Sequence, residues 1–504
     1  MILLVENSGD YNNDLRAMIG AFFPGEKIKA VSPEEVSLID RKLFSEFSFV
    51  FTALYGIRDV GAEYSRTTRL RIEEKGHVIF SAYAYGDYKD RKKFRNRLKL
   101  ASYRMLSSYT GRELPWGSLT GMRPSKIATG ALKDGKFKDE IIDYYKTTYD
   151  TSEEKAELSY DVAWKEKGIL ETIDPVSEYA VYIGIPFCPT RCLYCSFTAY
   201  PIHEFEGVVD DYLKTLEQEL QYISFLNRYR RLTAIYIGGG TPTAISEEHL
   251  HTLLDIVKNT FDLTELREYT VEAGRPDSIT PEKLSLMKRY GVTRISINPQ
   301  TMNAAALRKI GRAHTPNDTR AAFKMARDAG FNNINMDIIA GLPGERLSDM
   351  KYTLEEIRKM GPESLTVHSL AIKRTAELNM NLDEFKGEIN QDMEAMISYA
   401  YKTADEMGLK PYYLYRQKNI AGNLENTGYS KPGLECLYNI VMIEEKMDVF
   451  AAGAGTVTRL ISLDNNEVTR IDRVENVKNV YEYITRIDEM LERKSAGVDS
   501  RFLK

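Results

Sequence analysis

Cysteine is scarce in this chain of 504 residues, which has only four. Three of them, Cys188, Cys192 and Cys195, lie in one short stretch, and Cys436 stands alone. So few and so clustered thiols exclude a disulfide framework and are typical of metal binding in a reducing compartment. A lone cysteine such as Cys436 is usually a small buried hydrophobic residue. The cysteine usage therefore predicts a cytoplasmic metal-binding protein.

Histidines and long apolar runs are also few. Of the six histidines, only His249 and His251 are close in sequence, and residues two apart on a helix do not share a face. A multi-histidine metal site is therefore not expected. No apolar run approaches the ~18 residues of a membrane-spanning helix. The apolar run at residues 2–5 is too short for a signal peptide and lacks a basic flank. We expect no membrane span.

The chain has no large excess of either charge. Its formal net charge is -5 and its pI is about 5.9, which gives no general attraction to nucleic acid or to an acidic membrane. A predicted helix at residues 90–109 carries six basic side chains on one face: Arg91, Lys92, Lys93, Arg95, Arg97 and Lys99. They could bind RNA or an anionic substrate, but a solvated helix face is the simpler interpretation. Nucleic acid is not an expected partner.

The length and the order of predicted elements indicate several domains. We predict an N-terminal α/β accessory domain at residues 1–175, a barrel at residues 176–378, and a smaller, mainly helical domain covering the substrate at residues 379–504. Barrel strands are predicted at residues 181–185, 234–237, 268–271, 294–297, 334–339 and 364–368. Helices between them indicate six βα units, and hence a parallel sheet curled into a partial (β/α)6 barrel, whose site should lie at the carboxyl ends of the strands.

The cysteine loop follows the first of these strands with the spacing Cys188-x3-Cys192-x2-Cys195. Three thiolates on one loop can bind three irons of a [4Fe–4S] cluster, which leaves the fourth iron open. The open iron could bind the amine and carboxylate of S-adenosylmethionine (SAM). Three structural cysteines or a zinc site are the alternatives, but zinc usually takes four ligands in paired C-x2-C units, and no second pair exists. The loop therefore predicts a radical SAM site.

Polar or glycine-rich stretches follow the next strands. The glycines of Gly238-Gly-Gly240-Thr-Pro-Thr243 could let backbone N–H groups approach the amino-acid end of SAM, although a tight turn explains them as well. Glu272 ends the third strand and could accept from an amine or a ribose hydroxyl, or else form a salt bridge to Arg275 or Arg294. We interpret Glu272 as a ligand contact.

Three further polar residues are candidates for a second ligand. Gln300 follows the fourth strand, and Arg312 comes twelve residues later, where it could equally be a surface arginine. Asp337 lies inside an apolar strand, and an aspartate is rarely buried without a partner. We therefore expect Asp337 to face the pocket of the barrel.

The tract from Tyr182 to Cys195, together with residues 238–243, resembles the oxygen-independent coproporphyrinogen III oxidases, a radical SAM family. The N-terminal region and residues 121–124 look most like the HemZ branch, the coproporphyrinogen dehydrogenases. The resemblance covers roughly residues 178–500. It implies a three-quarter barrel, a [4Fe–4S] cluster and two SAM molecules per chain.

The resemblance also implies an oxidoreductase of heme (porphyrin) biosynthesis. Its tetrapyrrole substrate, coproporphyrinogen III, would lose a hydrogen atom and carbon dioxide from two propionates in turn to give protoporphyrinogen IX. An electron donor such as flavodoxin or ferredoxin would be needed, and no side chain is expected to be catalytic beyond the cluster and SAM.

Motif positions imply the roles of single residues. The resemblance assigns three residues to the cluster-bound SAM: Tyr182, Gly239 and Glu272. It assigns seven to the second SAM: Tyr194, Gly240, Thr241, Gln300, Arg312, Asp337 and Ala371.

One position departs from the best-known oxidases, which carry a further cysteine two residues after the third. Here that residue is Phe197, as it is in the heme-chaperone branch of the family. A heme chaperone that binds heme without oxidising coproporphyrinogen is therefore the alternative function. Radical modification of RNA, suggested by the basic helix, is a third.

A substrate with four propionates needs cationic partners, because carboxylates are costly to desolvate unpaired. The cluster Tyr415-Arg416-Gln417-Lys418 offers two cations beside an aromatic ring. We expect Arg416 and Lys418 to bind substrate propionates, the alternative being surface ion pairs.

Overall fold

The computed structural model describes residues 1–38, 47–60, 63–87, 90–373, 376–380, 385, 387–388, 392–417, 420–464 and 467–500. The chain forms two compact units, one of residues 1–164 with 414–426 and the other of residues 165–413 with 427–504. The first division falls near the predicted boundary at 175. The division into two units has no boundary near the predicted one at residue 378, and the three domains stay a prediction. In the part of the chain described, no helix has the length and hydropathy to span a bilayer.

The N-terminal unit is an α/β structure, as predicted. Its strands are β1 (Ile2–Glu6), β2 (Ile28–Val31), β3 (Phe49–Val60), β4 (Glu63–Glu74) and β5 (His77–Asp87), and its helices are α1 (Asn12–Phe22), α2 (Pro33–Leu38), α3 (Arg91–Thr110), α4 (Ser125–Lys133), α5 (Lys138–Tyr149) and α6 (Glu153–Leu170), the last of which continues into the second unit. The sheet order is β2-β1-β3-β4-β5; β1 runs parallel to its two neighbours, and β3, β4 and β5 form an antiparallel meander.

Strands β4 and β5 are joined by a two-residue hairpin turn at Lys75-Gly76. Both residues have positive φ, 49° and 83°, as a two-residue turn matching the twist of its strands requires. The predicted basic helix is confirmed as α3, which Asp90 caps by accepting from Lys93 N at 2.8 Å. Part of its charge is already paired, because Arg95 donates two hydrogen bonds of 2.6 Å to Asp14 and Arg91 forms an ion pair with Asp10 at 3.1 Å.

Residues 414–426 complete the N-terminal unit although they come much later in the chain. Glu425, which is 1% exposed, accepts from Trp116 Nε1 at 2.7 Å and from Lys155 Nζ at 2.7 Å. Both donors are buried as well. A buried carboxylate is stable only with such partners, so this segment is an integral part of the unit.

The second unit contains the partial barrel. Its strands up to residue 369 are β6 (Glu178–Ile185), β7 (Phe187–Cys188), β8 (Tyr200–Pro201), β9 (Arg231–Gly239), β10 (Glu268–Glu272), β11 (Arg294–Ser296), β12 (Ile334–Ala340) and β13 (Ser364–Ser369), and its helices are α7 (Ile202–Phe205), α8 (Val209–Leu226), α9 (Glu247–Thr260), α10 (Pro281–Arg289), α11 (Ala304–Lys309), α12 (Pro316–Asp328) and α13 (Leu347–Met360). Strands β6, β9, β10, β11, β12 and β13 lie side by side in this order and are parallel. The six predicted strands are therefore confirmed. Their apolar runs are typical of strands buried on both faces.

The C-terminal residues extend this sheet at both edges. They form helices α14 (Glu377–Met380), α15 (Met393–Glu406), α16 (Leu437–Glu444), α17 (Val480–Thr485) and α18 (Ile487–Asp499), and strands β14 (Lys410–Arg416), β15 (Glu425–Ser430), β16 (Asp448–Ala452), β17 (Val457–Asp464) and β18 (Glu467–Glu475). Strand β15 pairs antiparallel with β13, and β16 pairs parallel with β6. The predicted helices are present, together with more strand than the sequence indicated.

Candidate active site

The three clustered cysteines lie on the loop that leaves the carboxyl end of β6 and β7. Leu193 N donates to Ile310 O at 3.1 Å, and Thr190 Oγ1 donates to Gly311 O at 3.1 Å, so the loop is fastened to the turn after α11. Cys192 is buried, Cys188 and Cys195 are half-buried, and all three are free thiols. The loop thus presents three thiols at the edge of the barrel where the prediction placed the site.

The surroundings of Cys188 and Cys195 raise the pKa of both thiols. Burial raises the pKa of Cys188 to about 11, the Thr241 hydroxyl opposes this, and the charges of Cys192 and Cys195 would add to it. Burial also raises the pKa of Cys195, although the N–H of Phe197 acts in the opposite direction. A cationic metal centre would lower these pKa values, because it stabilises the thiolate, which is the form of cysteine that binds metal.

The three thiols suit an iron–sulfur cube, which takes soft thiolate ligands. Among the described residues, no three cysteine, histidine or carboxylate side chains surround one point where a metal ion could bind. A cube binds each thiolate through a different iron, so its ligands lie farther apart than those of one zinc ion. Cys436 is not a further ligand, since its Sγ lies 3.3 Å from Glu268 Oε1 at the opposite end of the barrel strands.

The glycine turn after β9 fastens the cysteine loop from the other side. Gly240 N donates to Ile185 O at 2.8 Å and Thr241 N to Phe187 O at 2.7 Å. The N–H groups of Gly240 and Thr241 are therefore not available to a ligand, because backbone carbonyls already accept from them. The hydroxyl of Thr241 instead lies 3.5 Å from Cys188 Sγ.

Glu272 lies beside an aromatic stack that the sequence did not reveal. Tyr236 Oη donates to Glu272 Oε1 at 2.5 Å, and the Tyr236 ring stacks on Tyr438 with centroids 4.4 Å apart. Tyr182 stacks on the same two rings, and its hydroxyl lies 3.4 Å from the position a Cβ would take on Gly239. The three residues expected to bind the cluster-bound SAM thus lie together.

Burial sets the acidity of Glu272. It raises the pKa of this carboxyl to about 7, the Tyr236 hydrogen bond lowers it, and the charge of Asp337 raises it further. The alternative salt bridge to Arg275 does not form, because Arg275 donates to Asp277 at 3.0 and 2.6 Å. A largely buried carboxyl whose partners are one tyrosine hydroxyl and one backbone N–H, that of Gly239, is suited to accept from a ligand amine or hydroxyl as well.

Arg312 is not a surface residue. It is 7% exposed and donates to Asn298 O at 2.7 Å and to Tyr194 Oη at 3.2 Å, so two residues expected at the second SAM are in contact. Gln300 is also 7% exposed, and its backbone has a φ of +66°, a strained conformation of the kind that clusters at functional sites.

Three buried polar atoms here lack a hydrogen-bond partner among the described residues. They are Arg312 Nε, Gln300 Oε1 and Asn298 Oδ1. Buried polar groups in folded proteins are normally paired, so a cluster of unpaired donors and acceptors indicates a bound polar group. The residues present therefore fit a ligand with both amine and carboxylate groups, such as SAM. Asn298 was missed because its sequence context carries no signal beyond the end of a strand.

Asp337 does have the partners that its burial requires. Asn335 Nδ2 donates to Asp337 Oδ1 at 2.6 Å, and His368 Nε2 lies 3.9 Å from Oδ2. Burial acts to raise the pKa of Asp337, but His368 and the hydrogen bonds outweigh it and hold the pKa below its ordinary value. Ala371 lies two residues after β13 and is buried.

Arg416, one of the two expected propionate ligands, is already paired within its own unit. Arg416 is buried in the N-terminal unit, where its guanidinium donates to Leu119 O at 2.8 Å, donates to Gly121 O, and covers the Trp116 ring at 4.9 Å. These contacts argue against the expected role of Arg416 in substrate binding. Lys418 lies outside the described residues.

Comparison with known proteins places this site in a family. Residues 182–357 match the Radical SAM superfamily. Over 417 residues the chain is 39% identical to the oxygen-independent coproporphyrinogen-III oxidase-like protein HemZ of Bacillus subtilis, covering 82% of this chain and 83% of that protein. It is 34% identical to the heme chaperone HemW of the same organism, covering 55% of this chain and 69% of the relative.

A solved structure shows a similar fold. The coproporphyrinogen III oxidase HemN from Escherichia coli, described as a radical SAM enzyme, aligns with a TM-score of 0.50 at 20% identity, over 64% of this chain and 73% of that one. The alignment supports the partial barrel.

Proposed function

The chain belongs to the radical SAM family of oxygen-independent coproporphyrinogen III oxidase-like proteins, whose cofactors are a [4Fe–4S] cluster and SAM, and we propose on that basis that it oxidatively decarboxylates coproporphyrinogen III to protoporphyrinogen IX. The observation that supports this most is the loop with three free thiols beside buried polar atoms that lack partners. Such a site binds both a cluster and a zwitterionic cofactor.

When bound, the cluster and SAM would supply the radical chemistry that removes a hydrogen atom from a propionate side chain; loss of carbon dioxide leaves one further electron, which an external electron acceptor would take. Cys188, Cys192 and Cys195 would hold the cluster. Tyr182, Gly239 and Glu272 would hold one SAM, and the tyrosines stacked beside them would limit the access of water. The protein's task is thus to position the reactants and to exclude water.

A second SAM is part of this proposal. The residues that would bind it are Tyr194, Gly240, Thr241, Gln300, Arg312, Asp337 and Ala371. The contact of Arg312 with Tyr194 and the unpaired atoms nearby support the assignment. We further propose that the protein works in a reducing cytoplasm and takes electrons from a donor such as flavodoxin or ferredoxin. Residues 379–504 would cover the bound substrate.

The decisive experiment is an anaerobic assay of the reconstituted protein. Coproporphyrinogen III, SAM and a reductant are added, and the oxidised porphyrins are separated by chromatography. We expect the intermediate with one vinyl group and then the product with two. Cys192→Ala should give neither, whereas Cys436→Ala, the matched control at a buried thiol outside the site, should give both. No vinyl-bearing product from a protein with a full cluster and active SAM cleavage would refute the proposal.

Phe197 specifically favours a second candidate, a heme chaperone. Phenylalanine stands where the best-known oxidases have cysteine, and the chain is 34% identical to a protein named as such a chaperone. This alternative predicts stoichiometric heme binding, transfer of heme to an acceptor and no porphyrin product. Titration with heme, beside the assay above, separates the two functions.

A further inference from the structure

Phe197 is the most exposed aromatic residue at the cysteine loop. It is 64% exposed, although it follows Cys195 by only two residues and its N–H donates to the Cys195 sulfur. A large apolar side chain left in solvent beside a reactive centre is a candidate contact for a ligand. This hydrogen bond holds the backbone of Phe197 against the cysteine loop.

Lys373 supplies a cation at the same place. Its Nζ lies 5.4 Å from the centroid of the Phe197 ring, and the side chain is half-buried after the end of β13. Within the described ranges, Lys373 has no hydrogen bond or ion pair with a carboxylate. A half-buried ammonium without a carboxylate partner can pair with an anionic group of a ligand. The desolvation free energy of this pairing is small, because the ammonium has already lost part of its hydration.

We propose that Phe197 and Lys373 together bind one edge of the tetrapyrrole, the ring packing against a pyrrole and the ammonium pairing with a propionate. This inference rests on the proposed function, for which it names the substrate contact that Arg416 does not provide. Charge complementarity supports it, since the substrate is a polyanion of flat rings and the pair offers an aromatic face with a cation that has no carboxylate partner among the described residues. The position also fits, because the reacting propionate must come close to the cluster loop.

The same pair would serve a heme chaperone equally, since heme has flat rings and propionates as well. Binding can therefore be tested without turnover. The probe is coproporphyrin III, the stable oxidised form of the substrate, titrated into the anaerobically reconstituted protein while porphyrin fluorescence and absorbance are recorded. Iron content and SAM cleavage report whether each variant keeps an intact site.

Loss of the ion pair or of the aromatic contact should each weaken binding about tenfold. We expect this increase in Kd for Lys373→Gln and for Phe197→Ala, while Lys373→Arg, which keeps the charge, should bind nearly as the wild type does. The matched control is Phe225→Ala, at a phenylalanine that is 58% exposed in the same unit with the Arg228 guanidinium 4.6 Å from its ring centroid. It should leave Kd unchanged.

Wild-type Kd in Lys373→Gln and Phe197→Ala would overturn the inference, as would equal weakening by Phe225→Ala. The result is separable from the proposed function. If the protein forms no vinyl-bearing product but both variants weaken coproporphyrin III binding, the oxidase proposal fails and the binding surface stands. If product forms and both variants bind coproporphyrin III as the wild type does, the oxidase proposal stands and the binding surface is refuted.

Discussion

Gly240 offers a sharp test of how the barrel fixes its cysteine loop. A Cβ added there would lie 2.5 Å from Phe187 O and 2.9 Å from Ile185 O. The first distance is about 0.9 Å short of an ordinary 3.4 Å contact. Both atoms belong to the backbone that leads into Cys188, so neither can move without moving the loop. The φ of Gly240 is not positive, and the effect of Gly240→Ala is therefore steric alone.

The expected cost follows from two contributions. Overpacking costs about 1–3 kcal/mol. The hydrogen bonds from Gly240 N and Thr241 N to these carbonyls would lengthen, and each contributes about 1 kcal/mol net. Gly240→Ala should therefore lower the free energy of unfolding of the ligand-free protein by about 2–5 kcal/mol. It should also displace Cys188 and lower the iron bound after reconstitution.

Denaturant unfolding and iron analysis measure both effects. Gly168→Ala is the control, since Gly168 lies in α6 and no atom lies within 4 Å of an added Cβ. Alanine there should stabilise the helix by up to about 1 kcal/mol and leave iron unchanged. If Gly240→Ala had wild-type stability and iron content, the turn at residues 240–241 would not determine the position of the backbone that leads into Cys188.

Three further predictions concern the site itself. Cys192→Ala should abolish the bound iron and SAM cleavage after reconstitution, while Cys436→Ala should keep both; the opposite pattern would show that the ligand assignment is wrong. Arg312→Ala should lower turnover and reduce SAM binding from two equivalents to one in calorimetry, with the cluster spectrum intact, and a single site in the wild type would contradict it. Burial raises the pKa of Glu272 from 4.5 to about 7, so folded protein holds a proton there that the unfolded chain releases. The unfolding free energy of the ligand-free protein should therefore fall as pH rises through this range, and Glu272→Gln should remove that component in denaturant titrations at several pH values.

The barrel and its thiols were accessible from sequence because local rules determine them. Strands buried on both faces have apolar runs bounded by turn residues, so six strands could be located. The cysteine spacing is local as well. Gln300 and Arg312 were recognised only as candidates, since their burial depends on residues far along the chain.

Long-range packing explains what the sequence missed. Tyr438 stacks on Tyr182 and Tyr236 across more than 200 residues of chain, and no periodicity in the sequence indicates such a contact. Arg416 was misinterpreted for the same reason. A basic residue in an aromatic strand suggests a binding surface, but here backbone carbonyls of Leu119 and Gly121 accept from its guanidinium.

The discontinuous N-terminal unit has a consequence for how the protein is made. Its first 164 residues leave the ribosome long before residues 414–426, which contain Glu425, the buried partner of Lys155 and Trp116. During synthesis Lys155 therefore has only Glu154, 2.8 Å from its Nζ and 36% exposed, as a carboxylate partner among the described residues, and full burial of its ammonium must wait for Glu425. The unit cannot reach its final structure until most of the barrel has been translated. Nascent chains released before residue 426 should stay sensitive to protease in their N-terminal part, whereas chains released after it should be protected. Because the chain is made from its N-terminus, the first unit can be completed only after most of the second unit has been translated.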